Sequence, residues 1–479
     1  MEIAFSAFLG EVAHRSVSLL VEKLSRDAAP LSVNENLRRN LLRVRVVVEE
    51  AEGRQIRNHA MLEQLRVLRG TMYRGYYMLD TVKYQAYKEH SSKDDGKNGV
   101  SDHSFALSKF NPAKRVRFCR RSSQGEKELH RVLGSLEILI TDVKEFVMFL
   151  KVCPPLYRQI YSTYMVLEKC MFGRHVEVES IINFLMQKEP SSPKNLDVLP
   201  IVGPAKAGKS TLIEHVCSDE RVRTAFSRIL FLTENDLDER LTCLRDAGTT
   251  KHLNHDLGKE CFLVIVELEG DIHEDTWNRL HSATMRDAAN GNKIIISSRF
   301  YGIARFGTTR SIKVEFLGQE AYWYFFKALA FGSTDAEEEP KLASMAMQMA
   351  SCLNGSFIAG NIIASMLRAN FNAKFWSMAL FCVQEVSQRY SFIFGAHPVS
   401  PWENTKQAYI PRISSSSDYC SVYNDYQRVS AQDDAQMTTF QEILSGTVLP
   451  CGKLDVLGWR SSIPPYYSYI FSCEIHKVP

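Results

Sequence analysis

The chain has 479 residues, of which 45% are hydrophobic, and this is enough for about three globular domains. Its 58 basic and 55 acidic residues give a formal net charge of +3, so net charge favours neither a nucleic acid nor a membrane surface as partner. The 11 cysteines form no C-x-x-C pair, which argues against a zinc site and is typical of a reducing compartment. Glu2 and Glu11 interrupt the start where a signal peptide needs an apolar core, and no run reaches the ~18 apolar residues of a spanning helix. We therefore expect a cytoplasmic protein without a transmembrane segment, with the nucleus as the alternative.

Apolar residues recur at three- and four-residue steps through the first 150 residues, which predicts four helices. The four stripes lie at 5–24, 37–51, 65–79 and 129–150. Ser32 and Glu35 have the spacing of a capping box, so the second helix is expected from about Val33. We predict an amino-terminal four-helix bundle over residues 1–155.

A polar and basic segment separates the third stripe from the fourth. The sequence "EHSSKDDGKNGVSDHS" at 89–104 has few apolar residues, and we predict a basic loop over 88–125. The stretch 109–121 carries six basic residues and no acid. It could be a nuclear-import signal, a contact for nucleic acid or lipid, or a solvated linker beside an acidic partner surface. We favour the linker. Nucleic acid is therefore not expected as a partner, except through a role of this stretch 109–121.

From about residue 195 the pattern changes to short β-branched runs separated by polar helical stretches. The runs are 196–202, 227–233, 261–268, 292–298 and 311–316. This alternation is typical of a parallel sheet, and we predict an α/β domain over 165–318. Helical patterns return over 319–390 and predict a small helical domain. The remaining 391–479 are expected to form an irregular tail of unknown fold, with one or two strands in "LGWRSSIPPYYSYIFSCEI" at 457–475.

One motif carries recognisable chemistry. The pattern Gly203-x-x-x-x-Gly208-Lys209-Ser210 is that of a P-loop, in which glycines let backbone N–H groups surround phosphates. Lys209 supplies a charge to the phosphates, Ser210 a hydroxyl to Mg²⁺, and Thr211 opens a helix whose positive end faces the anion. The motif follows a predicted strand and precedes a predicted helix, which is the arrangement that supports nucleotide binding.

Hydrolysis also requires an acid at a neighbouring strand end. Glu267, next to the end of the run 261–268, is our candidate for catalysis and for the metal. Leu268 stands where a second acid would orient water. Glu269 or Asp271 could take the role of that second acid. Arg299 ends another strand, where a guanidinium can reach a γ-phosphate. Both could instead be ordinary strand-end residues that meet solvent.

The order of these motifs resembles the plant NLR (nucleotide-binding, leucine-rich-repeat) disease-resistance family over roughly residues 1–370. The resemblance is to its coiled-coil class with an Rx-type amino-terminal domain, and to divergent grass members. The segment "MFGRHVEVESIINFLM" at 171–186 resembles the family segment that lies against adenine, which implies nucleotide contacts for Gly173 and Arg174. "GPAKAGKST" resembles the P-loop of the NB-ARC domain and adds Ala207 to the binding set. "FLVIVELEGDIHEDTWNRL" resembles the Walker B strand and the helix after it, and "NKIIISSRF" the strand-end arginine.

The resemblance implies an ARC-like helical domain at 319–390, bound ADP or ATP with Mg²⁺, protein partners for the bundle, and self-association. Five departures qualify it. Leu268 replaces the second Walker B acid, Ser356 in "LNGSFIAG" stands near an expected proline, and only Asp80 in "YYMLD" matches the acidic E-D-V-I-D segment. No M-H-D triad and no leucine-rich repeats are found, so the usual ADP lock and direct ligand sensing are not expected.

Three functions are compatible with these observations. The first is a nucleotide-dependent switch or adaptor in plant defence, at most a slow ATPase. The second is a P-loop kinase for a small metabolite, since a P-loop alone does not choose the acceptor, although no arginine-rich lid follows the motif. The third is a nucleotide-independent adaptor or decoy that acts through its helices.

Overall fold

The computed structural model describes residues 33–94, 113–156, 171–187, 196–234, 261–286, 291–394, 407–413, 418–429, 437–448 and 452–477. Helices and two separate β-sheets occupy these stretches, so the chain is a mixed helix and sheet protein, as predicted. The first predicted helix, at 5–24, lies outside the described residues.

Three long helices form the amino-terminal part of the described chain: α1 is Val33–Glu52, α2 is His59–Asp94 and α3 is Ala113–Leu150. Each sends an apolar stripe into a shared core, as the spacing predicts, and Leu41, Leu65 and Leu136 are fully buried there. The helix expected from Val33 is confirmed.

The predicted basic loop at 88–125 is helical at both of its ends. α2 continues through Asp94 and α3 begins at Ala113. A loop was predicted at these two ends because they lack an apolar stripe. The prediction is wrong there because lysine, arginine, glutamate and alanine extend a helix by propensity once a packed turn has nucleated it. The middle of the predicted loop, 95–112, lies outside the described residues.

A five-stranded parallel sheet follows, with the strand order β2-β3-β4-β1-β5. Its strands are β1 Asp197–Val202, β2 Arg228–Thr233, β3 Phe262–Leu268, β4 Lys293–Ser298 and β5 Ile312–Lys313. All five coincide with the predicted runs, so the parallel sheet is confirmed. In the register, Val202 pairs with Ser298 and Ser298 with Leu268, so β1, β4 and β3 end together at one edge.

Helices cover both faces of this sheet. They are α4 His175–Met186, α5 Lys209–Cys217, α6 Glu220–Ala225 and α7 Glu274–Arg286, with a 3-10 helix at Tyr301–Phe306. Alternate residues of a strand point to opposite faces. Accordingly, Ile201 packs in the cluster that contains α4, α5 and α6 residues, and Val202 packs in the cluster that contains Trp277 of α7.

Four helices come next: α8 Gln319–Phe331, α9 Pro340–Cys352, α10 Phe357–Ala369 and α11 Ala373–Phe394. The side chain of Ser356 caps α10 by accepting a hydrogen bond from Ala359 N at 3.3 Å. The serine that departs from the family pattern therefore starts a helix. Fully buried Trp323 and Phe326 of α8 join the core formed by α1, α2 and α3.

A buried carboxylate ties α2 to α8. Asp80 Oδ2 accepts hydrogen bonds from Trp323 Nε1 and from Lys327 Nζ, each at 2.8 Å. Asp80 is 7% exposed, so its charge is compensated by Lys327 rather than by water. The one acidic residue retained from the family segment therefore holds the amino-terminal helices against the helical segment after the parallel sheet.

We expect Asp80→Ala to lower the free energy of unfolding by about 2 kcal/mol, because it leaves the indole N–H and the ammonium without their acceptor in a dry contact. Urea unfolding followed by far-ultraviolet circular dichroism measures the change. Asp142→Ala removes an exposed aspartate of α3 and is the control, with no expected shift. Equal midpoints for the two variants would show that the tie contributes nothing.

A second sheet ends the described chain. It is antiparallel with the order β6-β7-β9-β8, where β6 is Ala408–Pro411, β7 is Asp418–Val429, β8 is Leu454–Arg460 and β9 is Tyr467–Lys477. A short helix, α12 Phe440–Ser445, precedes β8. One or two strands were expected within 457–475 and two overlap that range, β8 and β9, but the prediction of an otherwise irregular tail is wrong. Buried Cys420 and Val422 alternate in β7 with tyrosine, serine and other polar residues, so its apolar content looks low even though one face is packed.

No helix in the described ranges combines the length and the apolar character needed to cross a membrane.

Candidate functional site

The P-loop begins where β1 ends. The N–H of Gly203 donates to Ser298 O at 3.3 Å, and the N–H of Val314 donates to Val202 O at 2.8 Å. The first residue of the loop is therefore hydrogen-bonded to the end of β4, and the last residue of β1 to the residue after β5. A Cβ added at Gly203 would lie 2.0 Å from Val314 O, a backbone atom. Glycine is therefore required here for close approach of two backbones rather than for phosphate contact.

Two residues of the loop have left-handed backbone conformations. Lys206 has φ 59° and Gly208 has φ 92°. Such alternation is the backbone geometry of anion-binding nests, in which successive N–H groups converge on one point. α5 begins directly after Gly208, at Lys209, so the positive end of the helix dipole lies at the same place.

The ammonium group of Lys209 lies against the loop itself. Its Nζ donates to Gly203 O and to Pro204 O, each at 2.9 Å. These contacts hold the charge beside the concave side of the loop. Ser210 and Thr211 follow in the first turn of α5.

Arg174 connects the segment before α4 with the P-loop. It is 6% exposed, and its Nη2 donates to Ala207 O at 3.3 Å and to Glu315 O. Burial lowers the pKa of its guanidinium. Gly173 has φ 72°, and its carbonyl accepts a hydrogen bond from Arg69 Nη2 at 2.8 Å, which ties this turn to α2. The structure thus places Arg174 against the P-loop, next to Gly173 in the same turn, and the nucleotide contacts implied for the two residues stay a prediction.

A cavity of about 610 Å³ opens beside these residues. Six predicted binding residues line it: Arg174, Ala207, Gly208, Lys209, Ser210 and Thr211. The other two, Gly173 and Gly203, do not line it. The volume falls in the range of ~300–1,000 Å³ that is usual for small-molecule sites.

Other walls of the cavity were not predicted from the sequence. α8 and α10 contribute Phe325, Phe357 and Asn361, and the antiparallel sheet contributes Trp459 and Tyr469. The aromatic run of α8 was a recognisable signal, but its periodicity indicates a core helix equally well. The contribution of the antiparallel sheet had no sequence signal, because it depends on how that sheet docks.

The two predicted catalytic side chains lie at the same edge of the parallel sheet but do not line the cavity as described. Glu267 is half-buried near the end of β3, in register with Thr233 and Ser297. Arg299 is exposed, and its Nε donates to Glu269 O at 2.7 Å.

The candidates for a second acid, Glu269 and Asp271, do not line the cavity either. Leu268 is 6% exposed and packs with Ile272 and Trp277, so position 268 belongs to the core under α7. Asp271 pairs with Arg305 at 3.0 Å. Within the described residues, no group of three or more histidine, cysteine or acidic side chains could hold a metal ion by itself.

Comparison with known proteins gives two kinds of relatives. The family model described as "Rx N-terminal domain" matches residues 8–117. The curated disease resistance protein RGA2 of Solanum bulbocastanum is 23% identical over 350 residues, which cover 70% of this chain and 34% of the relative. The putative disease resistance protein RGA1 of the same plant has the same identity and coverage. The chain thus spans about a third of the length of the curated relatives that it matches.

Solved structures are more distant. The structure of C. elegans PCH-2 has a TM-score of 0.30 and 10% identity, and covers 49% of this chain and 74% of its own. Domain III of the Thermotoga maritima replication initiation protein DnaA has a TM-score of 0.24 and 12% identity, and the match covers 50% of this chain and 94% of that domain. Scores of this size do not indicate a shared fold.

Proposed function

From the chain's membership of the plant NLR-type disease-resistance family, in its coiled-coil class, we propose that it is a nucleotide-binding protein of plant defence. It holds ADP or ATP with Mg²⁺ in the cavity beside the P-loop and turns the nucleotide over slowly or not at all. Its amino-terminal helices contact other proteins, which include further copies of the chain. It acts in the cytoplasm, with the nucleus as the alternative.

One observation carries the nucleotide proposal. The left-handed residues Lys206 and Gly208, the start of α5 at Lys209 and the buried Arg174 meet at one wall of a cavity of about 610 Å³. Backbone N–H groups at a helix start, together with two cations, suit a di- or triphosphate. The apolar side chains of Phe325 and Phe357, which line the same cavity, suit the flat base of a nucleotide.

The residues present also fit a magnesium ion held jointly with the phosphates. Mg²⁺ in such sites takes one or two protein oxygen ligands and completes its shell with phosphate and water. Ser210 would supply its hydroxyl and Glu267 its carboxylate; the bound ion would neutralise phosphate charge. A dedicated cluster of acids is not needed for this role.

Slow turnover follows from the surroundings of the catalytic candidates. A hydrolysing site needs a group that orients the attacking water. Position 268 is a buried leucine, and Arg299 is exposed and bonded to the carbonyl of Glu269. These placements support a site that retains nucleotide over one that consumes it.

Titration of the purified chain with ADP, and separately with ATP and Mg²⁺, tests the proposal. We expect saturable binding at about one nucleotide per chain with a Kd near the micromolar range. ATP hydrolysis should be slower than about 0.01 s⁻¹, as in P-loop proteins that lack part of the catalytic set. Absence of binding by folded protein would favour the nucleotide-independent adaptor, and transfer of phosphate to a metabolite would favour the kinase.

A further inference from the structure

The antiparallel sheet docks directly on α5, the helix that follows the P-loop. The hydroxyl of Tyr467, in β9, donates to Glu214 Oε1, and both side chains are about nine-tenths buried. Two residues further along β9, the side chain of Tyr469 lines the same cavity as Thr211 of α5. β9 therefore contacts α5 at Glu214 and reaches the cavity beside Thr211.

Two further contacts flank this docking. His215 Nδ1 lies 3.2 Å from Pro464 O, and because a carbonyl only accepts, the Nδ1 nitrogen carries the proton. Lys206 Nζ, in the P-loop, pairs with Asp425 Oδ2 of β7 at 2.6 Å. The sheet is thus attached both to the loop and to the helix that together form the phosphate cradle.

The same sheet forms one wall of the cavity. Trp459 and Tyr469 line it and stack on each other with ring centroids 5.4 Å apart and planes 21° apart. Arg460 lies beside them on the wall and adds a cation. A ligand in the cavity would therefore contact both the P-loop and this sheet.

We propose that the antiparallel sheet of β7, β8 and β9 is a clamp that retains the bound nucleotide, with Tyr467 as the positioning residue that holds it closed on α5. This inference rests on the proposed nucleotide site. Nucleotide leaves only after the sheet has moved away from α5, so the contact of Tyr467 with Glu214 limits the release rate. By reciprocity, nucleotide in the cavity strengthens the docking of the sheet.

The test compares wild type with Tyr467→Phe, which keeps the ring and removes the hydroxyl. A fluorescent ADP analogue is bound, and its release is followed by stopped flow after addition of excess ADP. We expect release to be about tenfold faster in the variant, as expected for the loss of one hydrogen bond to a buried carboxylate. Tyr423→Phe is the matched control: its hydroxyl bonds Glu474 in the same sheet and does not line the cavity, so its release rate should equal that of wild type.

A second measurement separates retention from simple structural support. Amide hydrogen exchange in β8 and β9 should slow when ADP is added to wild type, and it should slow less in Tyr467→Phe. Tight binding with equal release rates in all three proteins would overturn the clamp and leave the nucleotide site intact. Absence of analogue binding by folded wild type would overturn the nucleotide site itself, and the clamp with it.

Discussion

Lys209→Ala is expected to bind ADP about a hundredfold more weakly than wild type, since hydrogen bonds of a charged group contribute ~1.5–3 kcal/mol and each ~1.4 kcal/mol is tenfold. The ammonium lies at the mouth of the cradle, held by Gly203 O and Pro204 O at 2.9 Å. Without this ammonium, the phosphates would be bound by the backbone N–H groups and by Arg174. Isothermal calorimetry with ADP measures the difference.

The matched control is Lys341→Ala, which removes an exposed lysine near the start of α9, far along the chain from the cradle. It changes the net charge by the same amount, so a general electrostatic effect would appear in both variants. Circular dichroism spectra of the two variants should match that of wild type. Equal affinities of wild type and Lys209→Ala would exclude a phosphate-binding role for this lysine.

Gly203→Ala is expected to have the largest effect on stability, a loss of about 3 kcal/mol or more, because the added Cβ meets backbone that cannot rotate away. The contact would be 2.0 Å from Val314 O, and relieving it would break the hydrogen bond from Val314 N to Val202 O. The edge of the sheet that carries β5 would have to shift. Urea unfolding monitored by circular dichroism gives the change in midpoint.

Two other glycines act as controls for Gly203. A Cβ at Gly208 has no heavy atom within 4 Å, so Gly208→Ala meets only the strain of φ 92°, about 1–2 kcal/mol. A Cβ at Gly134, in α3, also has open space, and Gly134→Ala should be neutral or slightly stabilising as in other helices. If Gly203→Ala unfolds at the same urea concentration as Gly208→Ala, the close backbone approach at Gly203 is not what requires glycine.

Local periodicity was sufficient to predict most elements. The parallel strands β1 to β4 are apolar, β-branched runs in which most residues are buried, so their pattern in the sequence corresponds directly to their burial in the fold. The helix at Val33–Glu52 was predictable for the same reason, since Leu37, Leu41, Val44 and Val48 form one buried face. The P-loop was predictable because its geometry depends on residues adjacent in sequence.

Features that depend on distant contacts could not be predicted in this way. β7 was not predicted because its buried residues Cys420 and Val422 alternate with polar residues, and because its partner strand β9 begins about forty residues later. From the sequence, Leu268 was interpreted as the replacement of a catalytic acid. In the structure its side chain belongs to the core beneath α7, where it packs in one cluster with Trp277. The contact of Tyr467 with α5 and the position of Tyr469 on the cavity wall likewise arise from the docking of the antiparallel sheet on α5, which no local pattern encodes.

The nucleotide that copurifies with the chain is the most direct test of the central claim. Wild-type protein, purified without added nucleotide and then denatured, is analysed by chromatography with mass spectrometry, with Lys209→Ala treated in parallel. The cradle at Lys209 and the enclosing sheet predict ADP or ATP at close to one per chain from wild type and much less from the variant. Folded wild-type protein that releases no adenine nucleotide would contradict the account.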